Sequence, residues 1–597
     1  MRLRSPAPAL VVGALVTLSF LARLVLLTRV HGPWIFPDEL GYQQVAANIA
    51  RGRLALYSEN GLSYSPLYPL LLAPLFGLGL SAPDAYGWIK AVNAIVMSLS
   101  LVPAYGIARF LLPRRPAYLV AALVAVAPLM YYTALGMSEN LAFPLVLVAA
   151  WLLLRALDQP SPRNDLWFLV AVVAAAATRI QLVTLLPAGV TALVLVGLVP
   201  AHRGRPRLSD FRKCLDAHRT LLVGSIGLVL AGVVPAVFGH SPFSAAGRYS
   251  NVPGTSHPSV VHMAKLFVYH AAELFFATGG LPFAATVAAA WILISRGASR
   301  RAIMFGSTTT ALAFWLILET AIATDSFERL GDAPRIHERY LFYVVPLFLA
   351  VFVAALRDER VRRTYVGAAL GIVAAALAAL AIPYQTVING TVVADTFSLQ
   401  VVARNGSLQA IDHASLVALA IAVGLAAAFA LLRSYPILVV GALVAAFVYD
   451  SAVLGSRIDA ASRGAKTFFT SSHYDWVDRT DPQSGVSLIT GPTVTDPVGE
   501  WHTAYYNLTI DRLYFTCRRT LSRDFGERRV SVASSGTLLV AGTPLRTRYA
   551  VVPSGLGVVG TVLARDRVAD EVLVAPSGGV LRIDPAHQAG WKCRTTA

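Results

Sequence analysis

The chain is built from apolar runs close to the length of a membrane crossing, most of them flanked by arginine at one end only. About 20 apolar helical residues are needed to cross roughly 30 Å of hydrocarbon. Such runs recur at about 9–29, 85–110, 116–133, 140–158, 166–178, 182–200, 220–238, 274–295, 302–322, 341–356, 364–382, 414–432 and 437–455. With 56% hydrophobic and 14% charged residues over 597 positions, and a mean hydropathy of +0.60, a set of soluble domains is excluded. The pattern predicts a mostly α, polytopic bundle of about thirteen spans. The fifth, 166–178, is too short to cross without tilt or local thinning and reads as half of a hairpin.

Basic clusters fall at Arg2/Arg4, Arg114-Arg115, Arg155/Arg163, His202 to Arg219, Arg296 to Arg301, Arg357 to Arg363 and Arg433. By the positive-inside rule these are cytoplasmic. The segments between them, about 30–84, 134–139, 239–273, 324–340 and 383–413, are richer in aromatics, acids, Asn, Gly and Pro and read as extracytoplasmic. An odd number of crossings puts the N-terminus in the cytoplasm and the C-terminus outside. The first run contains Arg23, is longer than a signal-peptide core and lacks a small-residue cleavage site, so it reads as an uncleaved anchor. The net charge of +17 then serves orientation and lipid-headgroup contact rather than nucleic acid.

Beyond about Arg457 the apolar runs stop and Thr, Ser, Asp, Gly and Pro rise, dividing the chain into a membrane part, 1–456, and an extracytoplasmic domain, 457–597. Short β-favouring runs at Val486 to Thr490, Thr537 to Val540, Tyr549 to Val552, Glu571 to Val574 and Val580 to Ile583 alternate with turn residues, and one helix is predicted over Glu500 to Asn507. The domain therefore reads as β-rich α+β. Cys517 and Cys593 both fall in it, where a disulfide could persist, whereas Cys214 lies in a cytoplasmic loop. No Cys/His metal spacing is present. The sequons at Asn389, Asn405 and Asn507 weigh little, because arginine- and alanine-rich composition suggests a high-GC bacterium and hence its plasma membrane.

Chemistry gathers on the predicted outer side. Asp38 and Glu39 follow the first run at once, with Tyr42 one turn on and the interfacial stretch Tyr64-Ser65-Pro66-Leu67-Tyr68-Pro69 after it. Acids just after Pro37 also suit a helix's first turn, where the macrodipole stabilises them by about 0.3–1 kcal/mol. That accounts for one acid more readily than for three. Glu139, in Ser138-Glu139-Asn140, sits at a span's mouth, where partial burial costs up to about 2.5–3.5 kcal/mol without a compensating role.

The order of these parts resembles the GT-C superfamily of membrane glycosyltransferases. It runs from one span to Pro-Asp-Glu-x-x-Tyr, the Tyr/Pro-rich segment, Ala108-Arg109-Phe110-Leu111, Met137-Ser138-Glu139-Asn140 and Ala177-Thr178-Arg179. The likeness is nearest to the branch of the protein O-mannosyltransferases and the lipid A aminoarabinose transferase, and covers about residues 10–360. His337-Glu338-Arg339-Tyr340 before Pro346 is similar to a later outer loop of that branch, and the tail, with Ala504 to Asn507 and Gly590-Trp591, to tails of actinobacterial members. Where the aminoarabinose transferases commonly open the second interfacial piece with Lys-Pro-Pro, this chain has Tyr64-Ser65-Pro66.

The resemblance implies transfer, with inversion, of a sugar from a polyprenyl-phosphate carrier to a glycan, lipid or protein acceptor on the outer face. It makes Asp38 the base, with Glu39 and Glu139 orienting the acceptor, holding sugar hydroxyls or binding a divalent cation through hard oxygen ligands. No cofactor beyond such an ion is implied. Tyr42 and Tyr64 are candidate substrate contacts. The leaving phosphate needs cations, and the outer-side candidates are Arg179, Arg339, Lys265 and Arg248, with His337, His262 and His270 behind them. Arg339 could instead snorkel to headgroups, and His262, Lys265 and His270 fit an interfacial helix. A transporter or lipid-linked-sugar flippase, which would need ionisable groups or helix breaks at mid-membrane, is the alternative. A silent anchor displaying the outer domain is a third reading.

Overall fold

Helices follow the apolar runs almost one for one. The computed structural model describes residues 7–34, 38–54, 64–199, 208–237, 259–329, 333–388, 395–399, 413–469, 473–480, 482, 485–491, 498–517, 525–584, 586–587 and 591. Its first half holds α1 Pro8–Leu27, α2 Asp38–Ala50, α3 Leu67–Gly77, α4 Ala82–Leu99, α5 Leu101–Leu111, α6 Arg114–Val126, α7 Glu139–Asp158, α8 Pro162–Thr178, α9 Leu185–Leu198, α10 Leu208–Ala217 and α11 Arg219–Val237. There follow α12 Val260–Ala277, α13 Leu281–Arg296, α14 Arg300–Arg329, α15 Val345–Ala355, α16 Glu359–Arg363, α17 Tyr365–Ala381, α18 Tyr384–Val387, α19 Ala414–Leu432, α20 Pro436–Phe469 and α21 Val498–Tyr506.

Eight of the described helices are long and apolar enough to cross a membrane, or ten if two bent pairs each count as one span, which makes this a multi-pass membrane protein. The difference from thirteen has physical causes. The run at 116–133 becomes a pair bent by 51°, that at 220–238 falls in α11, which meets α10 at a 66° bend before the run begins, and those at 166–178, 274–295, 341–356 and 364–382 become helices of at most 17 residues. The run placed at 274–295 breaks at Gly279-Gly280, both with φ near +78°, where a Cβ on Gly279 would meet the Phe447 ring. Its first residues belong instead to α12, which by length and composition is itself a candidate span.

The bend after α6 shows how the bundle tolerates polar groups. Pro128 ends the helix, and Arg23 of α1 reaches across to donate from Nη2 to the Ala125 carbonyl at 2.9 Å, and from Nη1 to the Ser19 carbonyl at 2.9 Å. A charge inside an apolar helix is thereby matched by a carbonyl of its own helix and by one beside the break.

The C-terminal region is one eight-stranded mixed sheet, ordered β5-β4-β3-β2-β1-β6-β8-β7. The strands are β1 Val486–Thr490, β2 Ile510–Phe515, β3 Arg528–Val532, β4 Leu538–Val540, β5 Thr543–Pro544, β6 Tyr549–Pro553, β7 Gly560–Asp566 and β8 Glu571–Pro576. β1 is parallel to both β2 and β6, and α21 makes the β1-to-β2 crossover. All five residues of β1 are buried, as a central parallel strand covered on both faces requires. The run at 580–583 makes isolated bridges rather than a strand. Cys517 is disulfide-bonded and Cys214 is free; Cys593 lies outside the described residues. Asn507 is fully buried: its Oδ1 accepts from the Val477 and Asp478 amides, so this sequon serves the fold.

The domain helix α21 packs against α2, α4 and α20 of the membrane part. Leu40, Val45 and Ala47 of α2 share one buried cluster with Tyr86 of α4 and with Val486, Leu488, Tyr505 and Tyr506 of the domain. The last carbonyls of a helix lack partners within it. Gln44 Nε2 donates to the Ala504 carbonyl at 3.3 Å, Gln43 Nε2 to that of Tyr505 at 2.5 Å, and Arg51 Nη1 to that of Leu508 at 3.1 Å. The helix that opens with Asp38 and Glu39 is thus clamped between bundle and domain.

Candidate active site

Five charged side chains converge beside the N-terminus of α2. Asp38 and Glu39 open that helix, Glu139 opens α7, Arg179 directly follows α8 in an extended conformation, and Arg339 lies in the 3₁₀ turn Glu338–Tyr340. Each stands at the end of a helix or turn, where the backbone leaves side chains free to point inward while the apolar runs fill the bundle.

Arg339 is the hub. Its Nη1 lies 3.3 Å from Asp38 Oδ2 and 3.5 Å from Glu139 Oε1, and its Nε lies 2.7 Å from Asp395 Oδ1. Arg179 Nη1 pairs with the same Glu139 Oε1. Asp395 is bound a second time, by Arg335 Nη1 at 2.9 Å. Three carboxylates and three guanidinium groups therefore balance, which is the condition for burying charge at tolerable cost. The two central guanidinium groups also lie over the Tyr340 ring, at 4.6 Å for Arg179 and 5.2 Å for Arg339.

The acids differ in access. The Asp38 side chain is 14% exposed, Asp395 7% and Glu139 0%. Glu39 is buried and turned away from the arginines: Trp34 N–H donates to its Oε1 and Gly136 N–H to its Oε2, both at 2.7 Å. It ties the start of α2 to the loop before α7. Tyr42 bonds Ser138 Oγ at 2.7 Å and packs edge-on to Tyr64 and Tyr68, with ring centroids 4.8 and 5.3 Å away. Tyr64 presses on Gly41, where a Cβ would run into its ring.

The remaining candidates are placed elsewhere. Lys265 is exposed on α12 and forms no ion pair with the cluster among the described residues. His262 pairs with Glu328 at 2.8 Å. His337 is buried, with Nδ1 2.9 Å from Thr324 Oγ1 and its amide donating to His270 Nε2 at 3.1 Å, so both histidines brace the turn behind Arg339. Arg248 lies outside the described residues. Asp395 and Arg335 were not singled out from the sequence, and Tyr340 only as the end of the His337–Tyr340 motif; the one signal for Asp395 was an acid inside the outer segment 383–413. No group of three or more His, Cys, Asp or Glu that could hold a metal ion occurs among the described residues.

Residues 84–208 match the family described as dolichyl-phosphate-mannose-protein mannosyltransferase. The structure is similar to that of ArnT from Cupriavidus metallidurans bound to undecaprenyl phosphate, at 16% identity over 95% of this chain and 98% of that one, with a TM-score of 0.52. This is the GT-C glycosyltransferase fold. The apo state of the same protein gives 15% identity over 94% and 98%, with a TM-score of 0.49. An Archaeoglobus fulgidus oligosaccharyltransferase gives 14% over 82% and 64%, with a TM-score of 0.39. No curated protein matches the sequence. The family segment contains both Glu139, at the start of α7, and Arg179, just after α8.

Proposed function

We propose that this protein transfers a sugar, with inversion, from a polyprenyl-phosphate donor to a cell-envelope acceptor at the membrane face carrying the sheet domain, the outer face by the distribution of arginines. One observation carries the reading. Asp38 is the most exposed acid of a buried, charge-balanced cluster, and it shares Arg339 with Glu139 and Asp395. The similarity to ArnT bound to undecaprenyl phosphate and the mannosyltransferase segment support a lipid-phosphate donor.

In this scheme the donor phosphate sits against Arg339 and Arg179. Arg339 Nη1 cannot serve the phosphate and Asp38 equally well, so docking the donor loosens the Asp38 contact and leaves a carboxylate facing the acceptor. The acceptor hydroxyl gives its proton to Asp38 as its oxygen bonds the anomeric carbon. The bond from that carbon to the phosphate oxygen breaks, and the arginines receive the charge that departs. A carboxylate so placed contributes about 10²–10⁴-fold.

The test is transfer by the purified protein in liposomes containing a radiolabelled polyprenyl-phosphate sugar, with envelope extract as acceptor. Label appearing in a non-carrier product supports the proposal. Carrier moved across the bilayer without product would instead mark a flippase.

A further inference from the structure

Behind Arg339 lies a second acidic group that the transfer scheme does not use. Glu273 near the end of α12, Glu338 in the 3₁₀ turn and Ser398 meet in a buried contact, at 0%, 3% and 9% exposure. Ser398 Oγ is 2.7 Å from Glu273 Oε1 and 2.8 Å from Glu338 Oε2, and Ser398 N–H donates to the same Glu338 oxygen at 2.9 Å.

The hydrogens do not add up if both acids are ionised. A serine hydroxyl has one hydrogen, and a carboxylate only accepts. One of the two bonds to Ser398 Oγ must therefore be donated by a carboxyl group. Glu338 Oε2 already collects two hydrogens from Ser398, which suits a carboxylate. Glu273 Oε2, by contrast, is buried and receives no N–H or hydroxyl hydrogen among the described residues. A charge there would be uncompensated.

We infer that Glu273 is a resident carboxylic acid whose proton bonds it to Ser398, and that this acid–serine–carboxylate clasp positions Asp395 and, through it, Arg339. Asp395 lies three residues before Ser398 in the same segment and holds Arg335 at 2.9 Å and Arg339 at 2.7 Å. Removing the proton leaves two carboxylates competing for one hydroxyl, which loosens the segment and takes Asp395 from Arg339. The other titratable groups facing the pair offer no replacement cation. Tyr384 of α18 faces Glu273, and Asp450 of α20 and Tyr132 of the 3₁₀ turn Pro128–Ala134 face Glu338. His270, one turn before Glu273, gives its Nδ1 to the Leu266 carbonyl and accepts the His337 amide at Nε2, which fixes it as neutral. No lysine or arginine pairs with either acid among the described residues.

The effect on turnover rests on the reading of Arg339 given above; the proton itself does not. Infrared difference spectra of the full-length protein in liposomes, wild type against Glu273→Gln and Glu338→Gln, read the proton without any turnover. The expected result is a protonated-carboxyl band at neutral pH that Glu273→Gln removes and Glu338→Gln keeps. At the alkaline pH where the wild-type band fades, transfer falls about tenfold per further pH unit, as loss of one proton requires. Glu273→Gln, whose amide donates to Ser398 as the acid did, is free of that fall. A wild type without the band, or a band that survives Glu273→Gln, overturns the inference.

Discussion

The molecule holds two populations of ion pairs made from the same side chains. Around α16, at the basic end of the bundle, Arg360 pairs with Asp358, and Arg362 and Arg363 with Glu359, all substantially exposed. Beneath the sheet domain, Arg179, Arg335 and Arg339 pair with Asp38, Glu139 and Asp395, all largely buried, with Arg335 the most exposed at 22%. Pairs of the first kind are screened by solvent and add little to stability. Those of the second kind cost several kcal/mol per ion to desolvate, and that cost is the reason the proposed transfer chemistry is placed on these six. Position alone separates the two, since both are arginine with a carboxylate.

Removing one member from each population should show the contrast at its widest. Arg339→Met leaves three acids facing one fewer cation; it should destabilise the protein by about 3–5 kcal/mol and abolish transfer, both read on purified protein by thermal unfolding and labelled product. A smaller, pH-dependent effect is expected where the sheet domain meets α2. Burial pushes His502 of α21 down from 6.5 to about 4, so the unfolded chain takes up its proton first. Stability should therefore fall as pH drops from about 6.5 toward 4, by up to about 3 kcal/mol, and no further below. His502→Phe should flatten that slope between pH 7 and pH 4 in thermal scans.

Smaller again is Glu39→Gln, which turns an amide nitrogen toward either the Trp34 or the Gly136 N–H. About 1–3 kcal/mol of stability should go, while transfer per folded molecule stays within a few-fold of wild type. Least of all, Glu359→Ala should leave both the thermal midpoint and transfer unchanged; a clear loss of either would erase the distinction between the two populations.

Much of the fold was legible because a membrane leaves a chain few options: apolar runs had to become helices, and each of the thirteen did, whole, bent or short. Their lengths were less legible, since Gly279-Gly280 reads as two small residues until the φ angles and the Phe447 ring are seen. At the site, Asp38, Glu139, Arg179 and Arg339 stood out as charges at the ends of apolar runs, and the fold brings these four together. The division between Asp38 and Glu39 was not legible. Consecutive helical residues point about 100° apart, and only the tertiary structure says which direction holds arginine and which holds backbone amides. Asp395 was invisible for a related reason: its partners lie about sixty residues back in the chain, and no local pattern marks that closure.

The central claim is that two adjacent acids do different work. The direct measurement is the initial rate of sugar transfer from a polyprenyl-phosphate donor, per folded molecule, in liposomes bearing wild type, Asp38→Asn or Glu39→Gln. The account predicts a loss of about 10²–10⁴-fold for Asp38→Asn, with donor binding retained, and a near-normal rate for the folded fraction of Glu39→Gln. Full activity in Asp38→Asn, or equal losses in the two variants, would contradict it.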